Sequence, residues 1–148
     1  MKGIRAQIRE DFYGTKIKFL PKQDDKLVGY AEMFGNDCIP LYTGINYFPC
    51  TSLKKTEKQM LPLNKKARIA IGFEKTIIGY IKLDNGSYVY LHDKGKILKQ
   101  LTKEYEADTT GLFEDQEDCE TSAIEMYEFN IIGAYMEGIP AFAVLYSE

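Results

Sequence analysis

Few side chains in this sequence are of the types that commonly perform catalysis or bind metals. The 148 residues include one histidine, His92, and three cysteines, Cys38, Cys50 and Cys119, without a CxxC pair. These counts exclude mechanisms and metal sites that need two histidines, and they fit neither a disulfide framework nor a zinc knuckle. The GxSxG, HExxH, GxGxxG and GxxxxGK[ST] signatures are also absent from the sequence. We expect His92 to lie on the surface at a strand end, and Cys38 and Cys50 to be core thiols in a reducing compartment.

Carboxylates, in contrast, are abundant. Glu125 and Glu128 are three residues apart, so on a helix they share a face and could approach another acid at the distance that glycosidases use. A solvated helix face accounts for the same pair, because surface helices often carry such charges. A hydrolase would also need a cleft that raises the pKa of one carboxylate. We therefore favour a carboxylate-dependent hydrolase less than a binding function.

The charges are distributed very unevenly along the chain. All 19 lysines and arginines lie in residues 1–103, together with 10 of the 22 acidic residues. Residues 104–148 contain the other 12 acidic residues and no basic residue, so the formal net charge of -3 hides a strongly acidic C-terminal segment. Such a segment forms a solvated face, pairs with the basic part of its own chain, or binds a basic partner.

The densest part of this segment predicts a binding surface. Five of residues 114–120 are carboxylates, and the aromatic residues Phe113, Tyr127 and Phe129 flank them. Negative charge speeds the encounter with a basic protein, while buried aromatic side chains slow dissociation. The predicted partner-binding residues are Glu114, Asp115, Glu117, Asp118, Glu120 and Tyr127. An acidic loop that only keeps the protein soluble is the simpler explanation of the cluster, and both interpretations stay open at this stage.

Direct binding of nucleic acid is not expected, although residues 53–75 contain seven lysines and arginines. Phosphates bound there would also approach the acidic segment, and this repulsion would offset much of the gain from counterion release. No aromatic-rich RNA-binding signature accompanies the basic residues. We likewise find no motif for a cofactor, and we predict no metal site and no catalytic residue.

The elements that position these residues are predicted most clearly in the centre of the chain. Apolar and polar residues alternate over residues 68–73 and 76–83, which is typical of strands. The turns DNG at 84–86 and DKG at 93–95 carry glycine in the third position, where a three-residue hairpin loop needs it. They would pair Ile81 with Val89 and Leu91 with Ile97. The sequence thus predicts a central antiparallel β-meander of four strands at about residues 67–101.

Helices are predicted on both sides of the meander, within a single domain of residues 1–148. Apolar spacing indicates a helix at 4–12, and residues 24–34 end at a glycine-asparagine stop signal. Ser122 and Glu125 match a capping box at the start of a C-terminal helix. The other elements are a strand at 15–20, a packed loop or short strand at 37–49 and an apolar strand at 140–146. The predicted class is α+β, with flanking helices and a C-terminal helix-strand.

Several of these segments carry a family resemblance. They are the strand ending in Leu20-Pro21, the aromatic loop Tyr47-Phe48-Pro49 and the run RIAIGFEKTIIGYIKLDNGSYVYLHDKGKI. Over about residues 12–101 their order resembles the SUKH superfamily, many of whose members are bacterial immunity proteins. The resemblance implies an α+β fold without catalysis that binds a toxin domain, often a nuclease or deaminase, in the cytoplasm of the producing cell. The acidic segment and the final strand depart from the usual ending of that superfamily.

The charge pattern and the resemblance together predict a bacterial immunity-type protein rather than an enzyme. It would neutralise a basic toxin domain, a nuclease or deaminase, by covering the active surface of the toxin. We expect a cytoplasmic protein without a membrane span or cofactor, present as a monomer or weak homodimer. The alternative is a structural or assembly protein of phage or mobile-element origin, which would self-associate through an uncovered sheet edge.

Overall fold

The computed structural model describes residues 27–35, 37–133 and 137–146. The strands are β1 (Leu27–Met33), β2 (Asp37–Tyr42), β3 (Tyr47–Pro49), β4 (Ile77–Lys82), β5 (Tyr88–Asp93) and β6 (Ala141–Leu145). The helices are α1 (Leu53–Met60), α2 (Lys94–Glu106) and α3 (Gln116–Met126), with a 3₁₀ turn at Glu74–Thr76 and a π-helical turn at Tyr127–Ile131 directly after α3. The predicted helix at 4–12 and the predicted strand at 15–20 lie outside the described residues.

The six strands form one mixed sheet in the order β2-β1-β6-β5-β4-β3. Neighbouring strands are antiparallel except β5 and β6, which are parallel. The chain between these two strands contains α2 and α3, because a parallel pair needs a long crossover connection. Hairpins and helices in one mixed arrangement confirm the predicted α+β class.

The sheet curves strongly. Its edge strands, β2 and β3, follow each other directly in the chain, so they must lie close together. In a flat sheet of six strands β2 and β3 would lie about 24 Å apart, whereas the five residue steps from Tyr42 to Tyr47 span at most about 17 Å. Thr43 and Tyr47 instead form a β-bridge at this corner. The inner face of the curve is apolar, and it includes the buried residues Ala31, Leu41, Tyr47, Ile81, Val89 and Leu91.

The predicted hairpin of β4 and β5 is confirmed. Ile81 pairs with Val89, and the loop between the strands contains Asp84, Asn85 and Gly86. Gly86 has a φ of 88°, a left-handed conformation that glycine adopts without a clash of a Cβ atom. The apolar strand predicted at 140–146 is also confirmed, as β6 in the interior of the sheet.

The prediction of two further strands in the meander, at residues 68–73 and after the 93–95 turn, is wrong. Asp93 begins α2 instead of a turn, because its carboxylate accepts a hydrogen bond from the Lys96 amide at 3.1 Å as a helix N-cap. Ile97 and Leu101 then lie buried one helical turn apart, so Ile97 does not pair with Leu91. Residues 68–73 pair with no strand, and the Arg68 amide donates to the Gly138 carbonyl at 2.8 Å.

Two further predictions near the ends of the sheet are corrected. Within the predicted helix at 24–34 the structure has β1, in which alternate residues are buried as in a strand with one face on a core. Gly29 allows this packing, since a Cβ atom at Gly29 would lie 2.2 Å from the Val144 carbonyl oxygen of β6. Residues 37–49, predicted as a loop or one short strand, contain both β2 and β3.

The helices pack on the face of the sheet opposite the inner core. One cluster joins α2, α3 and β6 through Ile97, Leu101, Ala123, Tyr127 and Phe142. A second cluster joins α1 to β4 and β5 through Met60, Ile77, Tyr80 and Tyr90. In the described part of the chain, no helix has the length and apolar character needed to cross a membrane.

Candidate functional site

The predicted acidic cluster lies in the loop before α3 and in the first turns of that helix. The helix begins at Gln116, and not at the capping box predicted around Ser122. Asp115 is its N-cap and accepts a hydrogen bond from the Asp118 amide at 2.9 Å, while the Asp118 carboxylate accepts one from the Glu114 amide at 3.1 Å. Two of the five predicted carboxylates therefore order the helix start, where negative charge is also favourable.

Carboxylates from the end of α2 join this cluster around a buried cysteine. Burial raises the pKa of the Cys119 thiol, and the nearby negative charges raise it further; they belong to Glu106, Asp118, Asp115 and Asp108. A buried thiol of raised pKa is unreactive, so Cys119 is a structural residue. We name the combined set the acidic surface; its residues are Glu106, Asp108, Glu114, Asp115, Glu117, Asp118 and Glu120.

The acidic surface is not neutralised by the described part of its own chain. The ion pairs between described residues are Lys66 with Glu137 and Lys94 with Glu32, and neither involves the acidic surface. Six of its seven residues are exposed to solvent, and Asp118 is half-buried. Pairing with the basic part of the chain, one of the three interpretations of the acidic segment, thus gains no support from these residues.

Exposed apolar side chains lie at both ends of α3. Leu112 is 70% exposed, and with Glu114, Glu117 and Thr121 it borders a shallow depression of about 500 Å³. Phe129 is 75% exposed in the π-helical turn at the other end of α3. Single exposed apolar side chains are common on protein surfaces, and a partner that bound along α3 would cover these two.

Tyr127, predicted to face a partner, is instead a core residue. Only 1% of its surface is exposed, and its hydroxyl donates a hydrogen bond to Glu32 Oε1 at 2.9 Å. Burial, and then the charge of Glu32, raise the pKa of Tyr127 above its ordinary value. The prediction for Tyr127 is wrong because Cys119, Ala123 and Tyr127 form a buried stripe with helical spacing, which the sequence does contain.

Glu32, Lys94 and Tyr127 form a half-buried polar cluster that sequence analysis did not identify. Lys94 Nζ lies 3.1 Å from Glu32 Oε1 and 4.9 Å from the centre of the Tyr127 ring. The cluster lines a cleft of about 300 Å³ that also includes Cys38 and Ile132. Because both Glu32 oxygens already accept hydrogen bonds, the carboxylate is not free to act as a general base. We interpret the cluster as a link between β1, α2 and the π-helical turn.

His92, predicted to be on the surface, is fully buried. Its Nε2 accepts a hydrogen bond from the Ala70 amide at 3.0 Å, and its Nδ1 lies 2.8 Å from Thr76 Oγ1. The Thr76 hydroxyl donates to the Phe73 carbonyl, so Nδ1 carries the imidazole proton and donates to Thr76. Burial lowers the pKa of His92 to about 4. A neutral imidazole with both nitrogens engaged holds the 70–76 segment against β5 and has no free nitrogen for catalysis.

The remaining candidates for chemistry are dispersed. Glu125 and Glu128 are both exposed, while Cys38 and Cys50 are half-buried. Over the described ranges, no three or more histidine, cysteine, aspartate and glutamate side chains are arranged to hold a metal ion.

The outer edge of β2 is blocked by a side chain from the following turn. The Asn46 amide donates to the Pro40 carbonyl and accepts from the Tyr42 amide, each at 2.7 Å. These two backbone groups belong to the side of β2 that has no neighbouring strand. Pro40 in addition has no N–H group to offer. Asn46 and Pro40 therefore make this edge a poor template for another strand.

Comparison with known proteins gives no relative for this chain. No protein-family model matches it, and no curated protein or solved structure matches it. The resemblance to the SUKH superfamily therefore stays a prediction.

Proposed function

We propose that this protein is a bacterial immunity-type protein, and not an enzyme, that acts in the cytoplasm. Its acidic surface would bind a basic toxin domain, a nuclease or deaminase, and cover the active surface of that toxin. The observation that carries the proposal is that Glu106 and Asp108, at and just after the end of α2, meet Asp115 and Asp118, at the start of α3, around Cys119. None of these four carboxylates belongs to an ion pair between described residues.

Electrostatics supports a basic protein as the partner. Like charges held close together repel one another, and an opposite charge on a partner removes this repulsion and speeds association. Enzymes that act on nucleic acids need basic substrate grooves, because they must neutralise phosphates. An acidic surface that covers such a groove would exclude the substrate.

The exposed apolar side chains favour binding over a purely solubilising role. Charges spread over the whole surface would keep the protein soluble equally well, without Leu112 exposed beside the acidic surface and Phe129 exposed at the other end of α3. In a complex these two side chains would be buried and would supply contacts that slow dissociation. We propose Leu112 and Phe129 as partner-binding residues in place of the buried Tyr127.

The alternative is an assembly protein that self-associates through a sheet edge, and Asn46 and Pro40 disfavour it at β2, one of the two edges of the sheet. Light scattering separates the two functions. The proposal predicts a monomer or weak homodimer that forms a larger species only with its toxin, whereas assembly predicts a mass that rises with protein concentration alone.

Two matched double variants test the surface. Glu117→Gln with Glu120→Gln removes two charges from the acidic surface without changing the Asp115 cap. Glu57→Gln with Asp84→Asn removes the same charge from α1 and the β4-β5 loop. Each variant is used first for capture from a lysate of the native host and then for calorimetric titration with the purified partner.

We expect the captured partner to be a basic nuclease or deaminase domain that the protein inhibits. The surface variant should weaken the affinity about tenfold at low salt, and the control variant less than about threefold. A partner without a basic surface, or equal losses of affinity in both variants, would contradict the proposal.

A further inference from the structure

A cavity of about 560 Å³ lies on a part of the protein separate from the acidic surface. It opens between α1, the 67–73 segment and the chain around β6, and it shares no residue with the acidic surface. The side chains that form its apolar wall include Ile69, Phe73, Tyr90, Ile131, Ile139 and Phe142. Both the volume and the apolar lining are typical of small-molecule sites, which are usually about 300–1,000 Å³.

The wall of the cavity is held in place by specific hydrogen bonds. The 67–73 segment belongs to no strand, but it is attached at three points along its length. The Arg68 amide donates to the Gly138 carbonyl, the Ala70 amide to His92 Nε2, and the Gln100 side chain to the Gly72 carbonyl, at 2.8–3.0 Å. These attachments fix the position of the 67–73 segment, so the cavity is formed before any ligand enters.

Apolar residues at the rim are exposed to an unusual degree. Ile71, on the 67–73 segment, is 86% exposed, and Leu61, just after α1, is about half exposed. Water is a poor solvent for such groups, and a ligand with an apolar body would cover them. The rim therefore favours a ligand that extends from the cavity over these two side chains.

Cationic side chains border one side of the opening. Arg68 lines the cavity and also an adjacent depression that includes Lys65, Lys66 and Glu137, where Lys66 is paired with Glu137. Its Nε donates to the Glu137 carbonyl at 3.1 Å, which orients the guanidinium group. Arginine binds carboxylates and phosphates well because its planar donors match two acceptor oxygens. Glu57 of α1 lines the cavity too, so a cationic ligand is the competing possibility that a test must include.

We propose that this cavity binds a small anionic amphiphile, with its apolar body in the cavity and its acidic group at Arg68. The inference does not depend on the proposed toxin binding. Sodium decanoate below its micelle concentration is a suitable probe, and decanol and decylammonium have the same chain with a neutral and a cationic head.

Binding is measured by NMR titration of the full chain. We expect saturable binding of decanoate, with the largest shifts at the methyl groups of Ile69, Ile131 and Ile139. Arg68→Gln should weaken decanoate binding about fivefold and leave decanol binding unchanged, because the exposed charge interacts only with the carboxylate. Lys99→Gln, which removes an exposed charge from α2, is the matched control and should change affinity less than about twofold.

Four results would overturn the inference. They are the absence of saturable binding, shifts that lie away from the cavity, equal decanoate affinity in Arg68→Gln and the wild type, and tighter binding of decylammonium than of decanoate. Since Arg68 is exposed, its replacement should not unfold the protein, and an unchanged amide spectrum verifies this. The Glu117→Gln and Glu120→Gln variant should bind decanoate like the wild type, which separates this site from the acidic surface.

Discussion

Protonation of His92 should detach the 70–76 segment from β5. In the neutral ring Nε2 accepts the Ala70 amide hydrogen, and Nδ1 donates to Thr76. A second ring proton would sit on Nε2 and face the Ala70 N–H, so this hydrogen bond would be lost and a positive charge would be buried. Burial lowers the pKa of His92, and the negative charge of Glu74 raises this pKa by a smaller amount.

The size and sign of the effect follow from the pKa of His92, which burial lowers from 6.5 to about 4. Each pKa unit corresponds to about 1.4 kcal/mol, so His92 accounts for about 3 kcal/mol of pH-dependent stability. Between pH 6.5 and 4 the unfolded chain binds more protons than the folded protein, so the free energy of unfolding falls as the pH falls. Above pH 6.5 His92 contributes its full amount to the free energy of unfolding. Below about pH 4 it lowers this free energy no further.

Because the chain has only one histidine, NMR of the imidazole follows this group without ambiguity. We expect a titration midpoint near pH 4 and a proton on Nδ1 at neutral pH. Urea unfolding of His92→Gln provides the second measurement. Between pH 7 and 4 its free energy of unfolding should change about 3 kcal/mol less than that of the wild type, while carboxylates contribute equally to both. A midpoint near 6.5, or equal pH dependence in the two proteins, would refute the reasoning.

Three further predictions concern stability, and each is measured by urea unfolding at pH 7. Tyr127→Phe should cost about 1.5–3 kcal/mol because it removes a hydrogen bond to the charged Glu32, and a loss below 0.5 kcal/mol would mean that this bond is unimportant. Asp115→Ala should cost about 1 kcal/mol through loss of the α3 cap, whereas Asp115→Asn should retain most of the stability; equal losses would contradict the capping role. Gly29→Ala should lower the free energy of unfolding by more than about 3 kcal/mol, because the new Cβ would clash with the backbone at Val144. A near-neutral effect would show that β1 and β6 can separate without cost.

Predictions that depended on short-range signals agreed best with the structure. The β4-β5 hairpin follows from a three-residue loop with glycine in third place, between two alternating segments. The apolar segment at 140–146 forms β6 within the sheet. In both regions, neighbouring residues contain most of the information that determines the local conformation.

Ambiguous local signals were resolved only by packing. Asp93-Lys94-Gly95 is compatible with a hairpin turn and with a helix N-cap, and the helix forms because Ile97 and Leu101 can then pack against Phe142. The predicted helix at 24–34 became β1, because its alternate residues lie against the core of the sheet and Gly29 accommodates β6, more than 100 residues later.

The sequence by itself determined the α+β class, the central hairpin and the concentration of negative charge after residue 103, because these depend on composition or on nearby residues. Only the tertiary structure decided that His92 and Tyr127 are buried, since the groups that bind them, Ala70 and Glu32, are 22 and 95 residues away in the chain. It also decided that the apolar side chains of Leu112 and Phe129 stay exposed at the two ends of α3. Burial depends on contacts between distant segments, and no local pattern specifies those contacts.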